Sequence, residues 1–348
     1  MPEPTTGPRI HRLRVVEVVA ETADAHSLVL QAPPESADRF TYRPGQFLTL
    51  RLPGADGKPA ARCYSLASSP HTGEPLKITV KRVAGGYGSN WVCDRLTAGD
   101  ELEVLPPAGT FTPDSLDEDL LLVAGGSGIT PVLSIAKSAL AGGRGRVVLL
   151  YANRDESSVI FRDELRELTE VHPDRLLVIH WLESLQGLPA ADLLAAPLAP
   201  YAGREAFVCG PQPLMDAVEQ TLRTLGAPGD RIHREKFFSL GADVFDAPAV
   251  PNGTAAGGGG TAEVELDGET HTVAWPATAP LLDVLLAAGV DAPYSCREGA
   301  CSACTCRVVS GEVKMLRNDA LDDQDIAEGY VLACQALPLT DRVEITYS

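Results

Sequence analysis

The most specific chemistry in this sequence lies in four cysteines of its last quarter. Cys296, Cys301, Cys304 and Cys334 follow the order C-x4-C-x2-C with one distant partner. Thiolates at this spacing ligate a [2Fe-2S] cluster, which moves electrons one at a time. The residues between them are small for a chemical reason. A cluster carries negative charge, so backbone N–H groups must approach its sulfurs, and Gly299, Ala300 and Ala303 leave them room. Cys334 returns on the apolar run Val331-Leu332-Ala333, which predicts a strand closing the site. Zinc is the weaker alternative, because structural zinc sites pair two short C-x2-4-C knuckles and one is missing. A Cys301/Cys304 redox dithiol is weaker still, since no βαβ pattern surrounds it. Cys306 is expected to turn away and is left out of the ligand set.

The elements that must position this loop are legible beside it. Residues from Glu263 to Trp275 alternate apolar and polar around Asp267-Gly268, a hairpin signal, and Leu281 to Ala288 reads as a short buried helix. Hairpin, helix and cysteine loop together resemble the β-grasp ferredoxin fold, predicted over 263–348. Residues 241–262 run through Pro-Asn-Gly and four consecutive glycines without periodicity, which predicts a flexible linker.

Upstream, two glycine turns are directed at phosphates. Leu120 to Ala124 is an unbroken apolar run that feeds Gly125-Gly126-Ser127-Gly128-Ile129-Thr130-Pro131 and then a helical stretch, Val132 to Leu140. Strand, glycine turn and helix offer backbone N–H groups and a positive helix end to a dinucleotide pyrophosphate. The turn lacks the Gly-Lys-Ser/Thr of a P-loop, which argues against ATP. Further alternation follows, with strands at Arg146 to Tyr151, Leu176 to Trp181 and Ala206 to Cys209, and helices at Phe161 to Glu170 and Pro213 to Leu225. This predicts an α/β doubly wound parallel sheet over 114–240, with Cys209-Gly210 at the strand end where ligands of such sheets sit.

Between residues 9 and 113 short alternating strands, including His26 to Gln31, Gln46 to Leu52 and Leu76 to Arg82, predict a small antiparallel β-barrel. Arg62-Cys63-Tyr64-Ser65 lies in it. An Arg fork suits a pyrophosphate, and a Tyr two residues on shares its strand face and can cover a flat heterocycle. Gly88 and Ser89, opening a helix, add N–H groups and a hydroxyl for the same phosphates.

In this order, Arg-x-Tyr-Ser, then Gly-x-Gly-Ser, then the glycine turn, the sequence resembles the ferredoxin-NADP reductase superfamily. The resemblance implies a barrel in which Arg62, Tyr64 and Ser65 hold FAD, with Tyr64 against the isoalloxazine and Ser65 near its reactive N5. It implies that Thr130, Cys209 and Gly210 lie beside the nicotinamide, with Cys209 positioning or polarising the ring. It also implies that Glu235 and Phe237 lie near the flavin. The sequence departs at Cys63, where many members carry proline; Cys63 is read as a filler. Tyr151-Ala152-Asn153-Arg154-Asp155 should meet the adenosine end of the nucleotide. Arg154 could hold a 2′-phosphate, but Asp155 would repel one, which tilts the reading to NADH without excluding NADPH.

The whole order of flavin barrel, nicotinamide domain, linker and ferredoxin resembles the reductase components of multicomponent oxygenases. Within that group Tyr151 to Asp155, Trp181 to Pro189 and Ser295 to Gly299 resemble the reductases of 3-ketosteroid 9α-hydroxylases most and those of phenylacetyl-CoA epoxidases next. The implied partners are NADH and a terminal oxygenase. Two readings from other classes remain: a self-sufficient flavin reductase or diaphorase, and a redox-responsive regulatory protein.

Composition bounds these readings. The 348 residues are 45% hydrophobic and carry 29 Lys and Arg against 47 Asp and Glu, a net charge of −18. That balance argues against nucleic acid. Residues 263–348 hold fifteen Asp and Glu against five Arg and Lys, so −10 of the −18 resides there. Asp319, Asp322, Asp323, Asp325 and Glu328 crowd one segment, read either as a solvated acidic helix or as a docking face for a basic partner. Scattered remaining cysteines suit a reducing compartment, and Met1 to Pro8 lacks a leader pattern, so a cytoplasmic monomer without membrane contact is expected.

Overall fold

Alternating strands in the first third of the chain bury one face and close on themselves. The computed structural model describes residues 10–237, 240, 244–245, 259–321 and 323–347. β1 (His11–Thr22), β2 (Ala25–Gln31), β3 (Phe47–Pro53), β4 (Pro59–Ser65), β5 (Leu76–Lys81) and β6 (Glu101–Ala108) form a sheet in the order β4-β3-β6-β1-β2-β5. An antiparallel bridge between Leu66 and Ile78 joins its two edges into a barrel. Leu28, Leu30, Leu48, Leu50, Ile78 and Val80 fill the interior. The two-residue period puts Lys77, Thr79 and Lys81 on the other face of β5. α1 (Tyr87–Arg95) bridges β5 and β6.

The α/β half contains β7 (Leu120–Gly125), α2 (Ile129–Gly142), β8 (Val147–Asn153), α3 (Arg162–Val171), β9 (Leu176–Leu182), α4 (Glu183–Gln186), α5 (Ala191–Leu198), β10 (Glu205–Cys209), α6 (Gln212–Thr224) and β11 (Ile232–Glu235). The sheet order is β11-β10-β7-β8-β9, and every pairing is parallel. Its central strands are apolar throughout because separate hydrophobic clusters cover the two faces. The crossover helices α4 and α5 are absent from the sequence reading. Pro197 lies inside α5, and such a proline breaks the helical signal that a sequence would show.

Barrel and α/β half form one compact unit, Arg12–Pro107 with Phe111–Ser239. One hydrophobic cluster joins them, since Ala25, Ala67 and Phe111 pack with Leu133 and Ala136. Polar contacts add direction. Ser134 Oγ donates to the Ser68 carbonyl at 2.6 Å, and the hydroxyls of Ser69 and Ser138 lie 2.7 Å apart. Lys137, only 6% exposed, donates from Nζ to Glu74 of the barrel at 2.6 Å and to Glu164 of α3 at 2.7 Å. Lys77 of β5 reaches the other Glu164 oxygen at 3.2 Å.

The second unit includes Leu240–Ser348. β12 (Gly259–Leu266) and β13 (Glu269–Pro276) form the expected hairpin, with Asp267 and Gly268 at φ of +53° and +81° in its turn. α7 (Leu281–Ala287), β14 (Thr305–Ser310), β15 (Val313–Met315), α8 (Asp323–Ala327), β16 (Tyr330–Leu332), β17 (Ala336–Pro338) and β18 (Arg342–Thr346) follow. The sheet order is β13-β12-β18-β14-β16, with β12 parallel to β18, a β-grasp arrangement. Most of the expected linker lies outside the described residues, and β12 pairing begins at Gly259, inside the 241–262 span. Asp323 and Asp325 lie on the short helix α8, none of whose residues is buried; Asp322 is outside the described residues. No described helix is long and apolar enough to cross a membrane.

Removing one partner of a buried ion pair strands the others, at a cost of about 3 kcal/mol or more. Lys137→Met should therefore lower stability by ~3 kcal/mol, read from the denaturant midpoint, and Lys137→Arg by less. An unchanged midpoint in Lys137→Met would show that the seam does not depend on this charge.

Candidate functional site

The barrel and the α/β half together line a cavity of about 330 Å³. Arg62, Tyr64 and Ser65 reach it from β4, Gly88 and Ser89 from α1, and Thr130 from α2. Phe237 also lines it. Ser65 is 4% exposed, and burial pushes the Tyr64 phenol upward, so it stays protonated. The Ser89 hydroxyl accepts from the Val83 amide at 3.1 Å, which fixes the turn into α1 and leaves its proton to donate. A Cβ at Gly88 would meet only ordinary contacts, 3.5 Å from Leu52 and 3.8 Å from Arg62, so the bare backbone there leaves access rather than relieving a clash.

The second glycine turn is different. A Cβ on Gly128 would stand 2.1 Å from the Cys209 carbonyl oxygen, and one on Gly125 would stand 2.6 Å from the Leu214 side chain. Gly210 in turn lies against the Gly125 backbone. The ends of β7 and β10 thus meet backbone to backbone, and Gly126, at a φ of +52°, bends the chain between them. Tyr151 of β8 donates to the Gly126 carbonyl at 3.0 Å, and the Thr130 hydroxyl donates to the Ser127 carbonyl at 3.1 Å. The result is a tight backbone turn at the start of α2, partly exposed at Gly126 and Ser127, of the kind that receives a dinucleotide phosphate.

Gly125, Gly126, Gly128, Cys209 and Gly210 lie behind the cavity wall rather than in it. Cys209 is fully buried and its thiol is pushed well up, first by burial and then by Glu235, so it is no nucleophile. Glu235 is its register partner on β11. Although that residue keeps some exposure, burial pushes its carboxyl up to about 8. Arg154 is not turned to the cavity. It pairs with Asp24 of the barrel at 2.8 Å, and Asp155 caps the next turn by accepting from the Ser158 amide. The sequence reading missed Thr79, Lys81, Tyr87 and Ser127, which share the wall. Thr79 and Lys81 carried a signal, two polar positions alternating with the apolar Ile78 and Val80.

In the β-grasp unit the four candidate ligand cysteines, Cys296, Cys301, Cys304 and Cys334, are all buried. Backbone amides point at their sulfurs: Glu298 and Ala300 donate to Cys296 at 3.3 and 3.4 Å, Cys296 to Cys301 at 3.4 Å, and Cys334 to Cys304 at 3.5 Å. Positive φ at Arg297, Gly299 and Ser302 curls the loop to aim them. Outside the loop, Gln335 donates to the Arg297 carbonyl, and the Arg297 guanidinium pairs with Asp283 of α7 at 2.6 Å. Cys301, Cys334 and then the amides draw the Cys296 thiol down to about 2, whereas sharing protons with it pushes Cys301 and Cys334 up. Among the described residues no three ligand side chains converge on a single ion. The thiols are linked in one series, Cys301 to Cys296, Cys296 to Cys334 and Cys334 to Cys304, so that all four face a common space. Cys306, the second residue of β14, points its thiol toward the Val331 carbonyl.

Three family models match in the same order. An oxidoreductase FAD-binding domain matches 12–112, an oxidoreductase NAD-binding domain 122–220, and a 2Fe-2S iron-sulfur cluster binding domain 264–339. The chain is 57% identical to the ferredoxin reductase component of 3-ketosteroid-9-alpha-monooxygenase from Rhodococcus rhodochrous, over 98% of each chain. It is 35% identical to one of the subunits of 1,2-phenylacetyl-CoA epoxidase from Escherichia coli, over 97% of each. The solved structure of phthalate dioxygenase reductase superposes with a TM-score of 0.56 at 27% identity, covering 97% of this chain and 98% of that one.

The raised Glu235 carboxyl has a sign in stability. Between its ordinary value of 4.5 and about 8 the folded state holds a proton that the unfolded state has lost, so stability falls as pH rises through this window. Glu235→Gln should match the parent near pH 4 and exceed it in thermal midpoint at pH 9. Parallel pH profiles for the two proteins would contradict the burial of this carboxyl.

Proposed function

This chain belongs to the family of the 3-ketosteroid-9-alpha-monooxygenase ferredoxin reductase components, and we propose that its own partner monooxygenates a 3-ketosteroid. It is an oxidoreductase with FAD, NAD and [2Fe-2S] domains, the reductase component that delivers electrons from NADH to a terminal oxygenase. The chemistry its bound FAD and cluster supply is the conversion of the electron pair of NADH into single electrons. The end-to-end match with the steroid reductases, well above that with the epoxidase protein, carries the choice of partner.

In this reading the chain's residues bind, orient and shield. Arg62, Gly88 and Ser89 hold the flavin diphosphate, Tyr64 covers the ring, and Ser65 places a hydroxyl at the reacting edge. Gly125, Gly126 and Gly128 take the diphosphate of NADH on their amides, while Thr130, the neutral Cys209 thiol and Gly210 set the nicotinamide. Phe237 closes the far side, and Glu235 lies behind the wall as the register partner of Cys209. Cys296, Cys301, Cys304 and Cys334 hold the irons as thiolates while surrounding amides spread their charge. The protein acts as a cytoplasmic monomer.

NADH is favoured because Arg154, the residue that could meet a 2′-phosphate, is engaged by Asp24. Such a partly exposed pair is worth at most about 1 kcal/mol. Asp24→Asn should therefore raise the NADPH-to-NADH ratio of kcat/KM by ~2–5-fold. A ratio unmoved by this change would remove Arg154 from cosubstrate selection.

The partner is tested by reconstitution. The purified chain is combined with a 3-ketosteroid 9α-monooxygenase oxygenase component or with the oxygenase subunits of phenylacetyl-CoA epoxidase, and product formed per NADH is measured. Coupled product with the steroid system alone is expected. Coupling only to the epoxidase would overturn the steroid reading.

A further inference from the structure

The wall of the cavity holds hydroxyls, cations and apolar groups, and among the described residues it contains no Asp, Glu or His. The reaction nevertheless leaves a proton there. Each NADH gives a hydride, one hydrogen nucleus with two electrons. When both electrons have left singly for the oxygenase, NADH and two oxidised acceptors have become NAD+, two reduced acceptors and one H+. That H+ must travel from the cavity to water.

Hydrogen bonds lead from the wall to a carboxylate. Thr79, a wall residue on β5, is 4% exposed, and its hydroxyl lies 2.7 Å from that of its register partner Ser27 on β2. Ser27 is fully buried and donates to Glu21 of β1 at 2.5 Å. A serine has one hydroxyl proton, and here Glu21 receives it. Thr79 must then donate to Ser27, which leaves the Thr79 oxygen to accept from the cavity. The chain of donors therefore points outward, from cavity to carboxylate.

Glu21 is half-buried. The charged and titratable groups that face it are Lys77 of β5, Glu164 of α3 and Tyr151 of β8, and Lys77 and Glu164 are paired with each other. Burial raises its carboxyl, with Ser27 and Lys77 pulling the other way. Of the ionisable groups in the wall, burial lowers the Lys81 ammonium while Asp24 at 3.8 Å holds it up, and burial keeps the proton on the Tyr64 phenol.

We propose that Thr79, Ser27 and Glu21 form the proton exit of the flavin cavity, with Glu21 the terminal base. The proposal rests on the functional reading above, because it needs a hydride donor and single-electron departure.

The test uses full-length holoprotein reduced anaerobically with NADH, then mixed with a one-electron acceptor in weak buffer containing a pH-indicator dye. Dye response, flavin reoxidation and the solvent deuterium isotope effect are followed by stopped flow. Ser27→Ala and Glu21→Gln should slow proton release and reoxidation by about ten-fold or more and enlarge the isotope effect, while hydride transfer from NADH stays within about two-fold. Added azide, a small proton carrier, should restore the rate of Glu21→Gln. Parent-like release and isotope effects in both variants would overturn the proposal, as would equal slowing of hydride transfer and reoxidation without azide rescue. Bleaching of the parent flavin by NADH in the same instrument reports separately on the functional reading.

Discussion

Lys137 holds two carboxylates from two halves of the molecule, Glu74 of the barrel and Glu164 of the α/β sheet, and much of the site depends on that contact. Hydride transfer tolerates little misplacement, since a shift of about 1 Å can cost ~100-fold in rate. The glycine turn that would carry NADH opens α2, and Lys137 sits two turns along the same helix. An apolar seam alone would allow the halves to slide. Ser134, Ser138 and Lys137 on one helix face give it direction, because each hydrogen bond has only one satisfactory register.

The cluster loop solves a separate electrostatic problem. Four buried thiols repel one another as they ionise, and metal binding requires that they ionise. The loop answers with amides from Cys296, Glu298, Ala300 and Cys334, each aimed at a sulfur. Gly299 is needed for a plain reason. It combines a φ of +75° with a position where a Cβ would come within 2.9 Å of the Arg317 carbonyl.

The fold was legible where period and turn chemistry agree. Leu120 to Ala124 had to be a buried strand, and Asp267-Gly268 had to be a hairpin turn. The helix α5 was hidden because Pro197 falls within it, and the start of β12 was hidden because Gly259 and Gly260 pair as strand despite their composition. At the site, local motifs named Arg62, Tyr64, Ser65, Thr130 and the cysteine quartet. They could not name Lys137, Glu74 or Glu164, which are far apart in sequence and whose meaning arises only when α2, α3 and the barrel meet. Ser27 and Glu21 were invisible for the same reason. A serine in a strand and a glutamate near its neighbour's end look like surface residues until β5 closes over them. Arg154 and Asp155 were legible as a pair of candidates, but not as residues already engaged, one by Asp24 and the other by the turn it caps.

The central claim is that a hydride's electron pair enters this chain at one site and leaves another as single electrons. Anaerobic titration of the purified full-length protein with NADH, followed by visible and electron paramagnetic resonance spectra, tests it most directly. The account predicts that flavin and cluster absorbance bleach in the same titration and that a reduced [2Fe-2S] signal grows as they do. A protein that binds no flavin, contains no iron and labile sulfide, or keeps its cluster oxidised while the flavin is reduced would contradict it.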